Sequence, residues 1–182
     1  MSARRWLAEA DRLDVAVYAA IAGTDTPALD RSLRTLSHAA DYSRLSIAAA
    51  LALGAAGGAA GRRAARSGLA SVAVTAATVN LLMKPLGRRR RPERDAHSVV
   101  VDRHVRMPVS SSLPSGHSAA AFAFSTGVGS VLPGAALPLH ALALSVAYSR
   151  VHTGVHYPGD VVVGAVTGVF LAQCTARAIS RA

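Results

Sequence analysis

The chain has 182 residues, enough for one domain, and carries a formal net charge of +10. It is 51% hydrophobic and only 4% aromatic, and its basic residues lie in loops between apolar segments, a pattern that argues against nucleic-acid binding. Cys174 is the only cysteine, which excludes an intramolecular disulfide and disfavours a cysteine-based metal site.

The N-terminal segment predicts two amphipathic helices that lie on a membrane surface or pack on a helical bundle. Apolar residues recur there at helical spacing, at Trp6, Ala10, Leu13, Val17 and Ile21. Thr26-Pro27 predicts the start of the second helix, with Thr26 as its N-cap. We therefore divide the chain into an interfacial segment, residues 1–42, and a membrane-embedded core, residues 43–182.

Long stretches without charge predict the core to be an all-α bundle of about five membrane helices. No Asp, Glu, Lys or Arg occurs in residues 45–61, 67–83, 107–149 or 161–176. Three of these stretches are near the lower length limit for crossing a hydrocarbon core, roughly 17–25 residues, and the longest holds two crossings. The predicted helices are Leu45–Gly61, Ser67–Met83 and roughly 115–132, 136–149 and 161–176. A soluble bundle of buried Ala-rich helices is the alternative, and a sixth spanning helix before Leu45 is disfavoured by its charges.

The sequence KPLGRRRRP, residues 84–92, follows the second predicted membrane helix. Lys84 ends that helix, and Pro85 stops it. A run of arginines is typical of a topogenic or lipid-headgroup patch. We assign to this patch Arg88, Arg89 and Arg90. Lys84 and Arg91 are different because of the two motifs described next.

Pro114-Ser115-Gly116-His117 immediately precedes an apolar helical run. The N-terminus of a helix offers unpaired N–H groups and a positive dipole end, which suit an anion. Gly116 lets the backbone approach such a ligand closely, Ser115 adds a hydroxyl, and His117 stands at the rim. The simpler alternative is that Ser115 only caps the helix.

The sequence SRVHTGVHYPGD, residues 149–160, spaces His152, His156 and Asp160 four residues apart. On a continuous helix these side chains would share one face, as in many metal sites. Glycines and a proline interrupt that helix, and Arg150 is a poor neighbour for a metal cation. The stretch therefore predicts an anion site, with a capping pair of His156 and Asp160 as the structural alternative.

Five crossings place the loops 87–113 and 151–158 on the same side of the membrane, where the three motifs meet. Cationic side chains and backbone amides there suit the oxygens of a phosphoryl group and offset charge in its transition state. One histidine attacks phosphorus while the other protonates the leaving oxygen. No metal is needed, since lysine and arginine supply the positive charge.

These motifs resemble the three signature motifs of the type 2 phosphatidic acid phosphatase superfamily, which includes the vanadium-dependent haloperoxidases. They are complete and in order, as Lys84-x6-Arg91-Pro92, Pro114-Ser115-Gly116-His117 and Ser149-Arg150-x5-His156-x3-Asp160. The resemblance covers roughly residues 45–180 and implies a helical membrane enzyme without a metal or other cofactor.

The resemblance also implies a role for each motif residue. His156 is the nucleophile and forms a phosphohistidine, Asp160 orients it, and His117 is the general acid. The implied phosphate ligands are Lys84, Arg91, Arg150, Ser115 and Gly116. His152 lies outside the motifs, and we expect a structural role for it.

The predicted function is hydrolysis of a lipid phosphate, either phosphatidic acid-like or prenyl-linked, in the bilayer. A polyprenyl diphosphate phosphatase that recycles the cell-wall lipid carrier is the alternative. A haloperoxidase is disfavoured because those enzymes are typically larger and soluble, and the intact nucleophile and acid disfavour a non-catalytic lipid-binding protein. The Ala- and Arg-rich composition is typical of actinobacteria, where decaprenylphosphoryl phosphoribose and phosphatidylinositol phosphate are further candidate substrates.

The distribution of basic residues predicts which side of the plasma membrane the site faces. Five of the twenty lie away from the site, and fifteen lie on its side. Without the three catalytic cations the comparison is 12 against 5. The positive-inside rule then predicts a cytoplasmic active site.

Overall fold

The computed structural model describes residues 3–181, and in that range the chain is helical, without a β-strand. The predicted all-α class is therefore confirmed. Seven helices are longer than ten residues: α1 (Ala3–Gly23), α2 (Pro27–Ala39), α3 (Arg44–Ala56), α4 (Gly58–Leu86), α5 (Gly116–Gly129), α6 (Pro133–His152) and α7 (Pro158–Arg181). Near its end α4 widens into a π-helical segment, Thr78–Met83.

The predicted helix Leu45–Gly61 is wrong in its end, because the chain turns at Gly57 and α4 begins at Gly58. The start of α4 packs so closely on the end of α3 that a Cβ at Gly61 would overlap the Leu53 carbonyl oxygen, at 2.1 Å. Only glycine allows this approach. In an apolar sequence, a glycine inside a membrane helix cannot be distinguished from a glycine at which the chain reverses direction.

Two of the core helices are shorter than a membrane crossing requires. α3 has 13 residues and α5 has 14, which give about 20 Å each at 1.5 Å per residue, against a hydrocarbon core of roughly 30 Å. Within the described residues two helices, α4 and α7, are both long and apolar enough to cross a membrane.

α5 is the central helix and packs against α4, α6 and α7. On α7, Gly164 and Gly168 face the Ser115 and Ala119 carbonyl oxygens, which added Cβ atoms would meet at 2.5 and 2.2 Å. The Ser115 N–H donates to the Asp160 carbonyl oxygen at 2.9 Å. These close contacts bring the second and third motifs together.

Besides its apolar core, the bundle buries many polar side chains and exposes many large apolar ones, unlike most soluble proteins. Buried side chains include Asp30, Arg103, Ser112, Arg150, His152, His156 and Asp160. Exposed ones on α3, α4, α6 and α7 include Leu51, Leu69, Leu81, Leu82, Leu137, Leu144, Val166 and Phe170. Polar residues inside and large apolar residues outside are typical of a bundle with apolar surroundings. The protein is therefore a membrane protein.

α1 and α2 pack on the core through polar residues. Arg103, from the loop after α4, is fully buried and donates to Asp30 on α2 at 2.8 Å and to the Thr24 carbonyl oxygen at 2.6 Å. It also donates to two carbonyl oxygens of the last turn of α1, which no residue within the helix can satisfy. This arginine ties the N-terminal hairpin to the core.

Most of the predicted apolar face of α1 points away from the bundle, although Ile21 packs against the buried cluster around Tyr18. Trp6 is 59% and Leu13 67% exposed, whereas Tyr18 is fully buried. At the start of α2, Thr26 does not form the predicted cap bond to the backbone. Its hydroxyl donates to Asp30 instead and accepts from Arg103, because the buried ion pair lies within its reach.

Candidate active site

The three motifs meet where α4 ends, α5 begins and the loop after α6 returns. A cavity of about 560 Å³ opens between them. Residues of all three motifs line it, namely Lys84, Gly116, His117 and Arg150, and so do Asp41, Asn80 and Arg106. The sequence thus predicted correctly that these distant segments come together.

His156 lies in the loop between α6 and α7 and is 1% exposed. The Arg91 guanidinium approaches its Nε2 at 3.2 Å, and its Nδ1 is 3.5 Å from Asp160 Oδ2. Since arginine only donates hydrogen bonds, Nε2 carries the lone pair and Nδ1 the hydrogen. Burial, with the nearby Arg91 and Arg150 charges, lowers the pKa of His156 to about 3 despite its hydrogen bond with Asp160. The ring is therefore neutral near pH 7.

A buried serine that the sequence reasoning did not single out connects this pair. Ser112 donates to Asp160 Oδ2 at 2.5 Å and lies 3.4 Å from His156 Nδ1. Asp160 also accepts from the backbone N–H of Tyr157 at 2.9 Å. Ser112 stands two residues before Pro114 in a run of serines, and nothing in that run marks it as the one that reaches Asp160.

Three cations lie close to His156 or in the cavity wall: Arg91 contacts His156, and Lys84 and Arg150 line the cavity. Arg91 is held by the carbonyl oxygens of Val155, at 2.8 Å, and Ser110, at 3.0 Å. Lys84 contacts the Ser110 hydroxyl at 3.2 Å. Arg150 is 2% exposed, and its Nε is buried without a hydrogen-bond partner among the described residues. A buried, unpaired guanidinium N–H suits an anion.

The residues of the second motif have two different roles: Ser115 caps α5, whereas Gly116 and His117 line the cavity. The Ser115 hydroxyl is buried and accepts from the Ser118 N–H at 3.4 Å, so the helix-cap alternative describes it, and it does not line the cavity. At Gly116 an added Cβ would lie 3.6 Å from Lys84 Nζ. His117 lies at the cavity wall, and its Nε2 is 2.8 Å from Asp41 Oδ1.

Arg89 corrects the assignment of the arginine run. Arg88 and Arg90 are exposed, as a headgroup patch requires. Arg89 instead turns inward, with its Nη1 2.7 Å from Asp14 of α1 and 3.0 Å from Asp160. It belongs to the surroundings of the Asp160 carboxylate. Sequence reasoning missed it because its acidic partners are distant in the chain.

His152 does not share a face with His156. Its Nε2 is 2.9 Å from Asp30 of α2, and the residue is 1% exposed, in agreement with the predicted structural role. Between residues 3 and 181, no three His, Cys, Asp or Glu side chains are placed to hold a metal ion. The spacing of the third motif therefore does not build the metal face it suggests.

Comparison with known proteins identifies the family. The family model described as the PAP2 superfamily matches residues 64–182. The chain belongs to the PAP2 superfamily. The decaprenylphosphoryl-5-phosphoribose phosphatase of Mycobacterium tuberculosis H37Rv is 35% identical over 165 residues, 87% of this chain and 86% of that enzyme. The enzyme of the same name from Mycolicibacterium smegmatis is 34% identical over 156 residues, 85% and 80% of the two chains.

Two crystal structures of this superfamily share the fold. The PAP2-type phosphatidylglycerolphosphate phosphatase of Bacillus subtilis superposes with a TM-score of 0.73, covering 95% of this chain and 87% of its own. LpxE of Aquifex aeolicus superposes with a TM-score of 0.69 and covers 91% and 95%. Both are 22% identical to this chain. The resemblance seen in the motifs is confirmed, and the protein is a lipid phosphate phosphatase.

Proposed function

We propose that this phosphatase removes the 5-phosphate from decaprenylphosphoryl-5-phosphoribose or a closely similar prenyl-linked sugar phosphate. The observation that carries this proposal is the 35% identity to the mycobacterial enzyme over most of both chains. The cavity of about 560 Å³ is larger than a phosphate requires and lies in the usual size range of small-molecule pockets. Asn80 and Arg106 in its wall offer polar contacts to a sugar or to a second phosphate.

The reaction begins with attack by the Nε2 lone pair of His156 on phosphorus. The phosphoryl oxygens bind to the side chains of Lys84, Arg91 and Arg150 and to the backbone amide of Gly116, which offset the charge of the transition state. Positive charge develops on the imidazole as the N–P bond forms. The Nδ1–H stabilises this charge by pointing to Asp160, at 3.5 Å, and to Ser112, at 3.4 Å.

The leaving oxygen takes a proton from His117 as the P–O bond breaks, which leaves a phosphohistidine and the free alcohol. His117 then accepts a proton from water as that water attacks phosphorus. The N–P bond breaks, inorganic phosphate leaves, and His156 returns to its neutral form. Two histidines on opposite sides of phosphorus thus separate the nucleophile from the acid.

In the membrane, we propose that α3–α7 form the embedded core, with the short helix α5 at its centre and the short helix α3 at its side, packed on α4. The exposed apolar side chains of α4 and α7 face the lipid tails, and the exposed Trp6 and Leu13 of α1 lie at the interface. The active site faces the cytoplasm, on the side that carries the excess of basic residues.

A substrate panel tests the activity. Phosphate release is measured in detergent from decaprenylphosphoryl-5-phosphoribose, phosphatidic acid, phosphatidylglycerophosphate and a polyprenyl diphosphate. We expect the highest kcat/KM for the first. A preference for the diphosphate would replace this proposal with the cell-wall carrier alternative. His156→Ala is expected to lose at least about 10³-fold in kcat. His140→Ala serves as the matched control, because that ring contacts the Ala136 carbonyl oxygen and the Thr126 hydroxyl and does not line the cavity.

Radioactive labelling tests the proposed covalent intermediate. Substrate labelled with ³²P on the 5-phosphate, quenched in alkali, is expected to leave label on wild-type protein that acid removes, which is characteristic of phosphohistidine. Label retained by His156→Ala, or none on the wild type under single-turnover conditions, would contradict the covalent route.

Cysteine labelling tests the orientation. Cys174 is exposed and is first replaced by serine, and Val101→Cys, at a 75% exposed loop position on the site's side, is then introduced. We expect a membrane-impermeant maleimide to label this cysteine only after cells are permeabilised. Labelling in intact cells would place the site on the outer face.

A further inference from the structure

The general acid His117 has a carboxylate neighbour that none of the three motifs contains. Asp41 Oδ1 lies 2.8 Å from His117 Nε2, and Asp41 Oδ2 lies 3.5 Å from His38 Nδ1. Both Asp41 and His117 line the active-site cavity. Asp41 precedes residues 64–182, the part of the chain that matches the family model.

The backbone after Asp41 is held in an unusual conformation. Asp41–Ser43 form a single helical turn between α2 and α3, and Tyr42 and Ser43 have φ values of +56° and +59°. Left-handed φ values are disfavoured for residues other than glycine and are concentrated at functional sites. The Tyr42 side chain is 81% exposed, so its own packing does not account for this conformation. The turn instead directs Asp41 into the cavity.

The charges around His117 indicate what the Asp41 carboxylate does. The groups that act on the ring are the cations Arg150 and Lys84 and the carboxylate of Asp41, with His38 behind it. A general acid must carry a proton, which the two cations oppose. A bound phosphate dianion offsets these cations, and Asp41 then stabilises the imidazolium.

We propose that Asp41 is the positioning residue of the general acid. It acts on His117 as Asp160 acts on His156. It accepts the Nε2–H of His117, fixes the ring orientation and stabilises the protonated form. The Nδ1 proton is then the one that passes to the leaving oxygen as the P–O bond breaks, while Nε2–H and the ionised Asp41 stay paired. This inference rests on the role of His117 in the proposed function.

Two soluble substrates of similar shape separate this role from a structural one. Phenyl phosphate needs a proton on its leaving oxygen, whereas p-nitrophenyl phosphate leaves as a stable anion and does not. We expect Asp41→Asn to lower kcat for phenyl phosphate about 10- to 100-fold and kcat for p-nitrophenyl phosphate less than about threefold. The alkaline limb of the phenyl phosphate profile should move to lower pH, since the imidazolium has lost its carboxylate.

Matched variants complete the experiment. Asp25→Asn, at an exposed position before α2, is expected to behave as the wild type. His117→Ala should show the same dependence on the leaving group, and adding Asp41→Asn to it should cost nothing further. Equal losses of Asp41→Asn on both substrates, or no loss on either, would overturn the proposal. Neither substrate carries a lipid, so a failure of the lipid assignment in the substrate panel leaves this test intact.

Discussion

Among single residues, Arg91 decides the chemistry of His156 by occupying the side of Nε2. Because the guanidinium only donates hydrogen bonds, the Nε2 lone pair faces Arg91, and the opposite nitrogen is left to Asp160 and Ser112. His156 and Asp160 were predictable because both lie within one short motif. Ser112 and Asp41 were not, since their contacts depend on how separate segments pack.

His156 is expected to stay unprotonated well below neutral pH. Burial lowers its pKa to about 3, so the imidazole is neutral above that pH and becomes charged only in stronger acid. In histidine-labelled protein, the His156 imidazole signal, identified by its loss in His156→Gln, should not shift between pH 8 and 4. A midpoint near 6.5, the ordinary value for histidine, would contradict this burial effect.

Ser112→Ala is expected to lower kcat about tenfold with little change in KM. The hydroxyl donates to the charged Asp160, and hydrogen bonds to charged groups contribute about 1.5–3 kcal/mol. Steady-state kinetics with the lipid substrate measure the effect. Ser111→Ala is the matched control, because that hydroxyl bonds only backbone oxygens. Similar losses in the two variants would argue against a positioning role for Ser112.

At the scale of elements, the sequence predicted that α1 and α2 are helices, but it did not predict which of their faces contacts the core. Their apolar residues were predicted to lie on a membrane surface or to pack on the bundle, and the structure buries Asp30 and Ser37 of α2 and leaves Trp6 and Leu13 of α1 exposed. An amphipathic pattern identifies two faces without saying which contacts protein when lipid is the alternative. The partners that decide it, such as Arg103, lie far away in the sequence.

Asp30→Asn is expected to lower the free energy of unfolding by about 3 kcal/mol, because it leaves Arg103 buried without its carboxylate. Burial raises the pKa of Asp30, but hydrogen bonds from His152 and Thr26 and the charge of Arg103 lower it further, below its usual value. Its stabilisation is therefore complete above about pH 4 and is lost as the pH falls through the folded pKa.

Unfolding in detergent, followed at pH 7 and at pH 3, checks both parts of this prediction. The difference between wild type and Asp30→Asn should be large at pH 7 and should shrink in acid. Asp25→Asn, exposed and nearby, should match the wild type at both pH values. A difference that does not change with pH would mean that the charge of Asp30 does not contribute.

At the scale of the whole molecule, the exposed apolar side chains and the buried polar ones support both the membrane assignment and the anion site. Apolar side chains cover the outside of α4 and α7, while Lys84, Arg91 and Arg150 converge at one end of the bundle. Cations held together without a paired anion bind a phosphoryl group strongly. The same arrangement allows an enzyme to take a headgroup while its tail stays in lipid.

Orthovanadate is expected to inhibit competitively, because it resembles the phosphoryl group in size and charge, and EDTA is expected to leave activity unchanged. Phosphate release measured with each reagent checks the prediction. Arg150→Lys should weaken vanadate inhibition, since the Nε that is buried without a partner in the described structure is lost. Loss of activity in EDTA that a metal ion restores would revive the metal-site alternative.

The sequence by itself determined the family, the all-α class, the membrane setting and the motif residues, because local spacing and runs of apolar residues carry that information. Only the tertiary structure decided that Arg89 pairs with Asp160, that Ser115 caps α5 and that α3 ends at Ala56. It also decided that Ser112 reaches His156 and that Asp41 reaches His117. The physical reason is the same in each case. Contacts between segments distant in the chain depend on helix packing, to which single serines, aspartates and glycines leave no periodic signal.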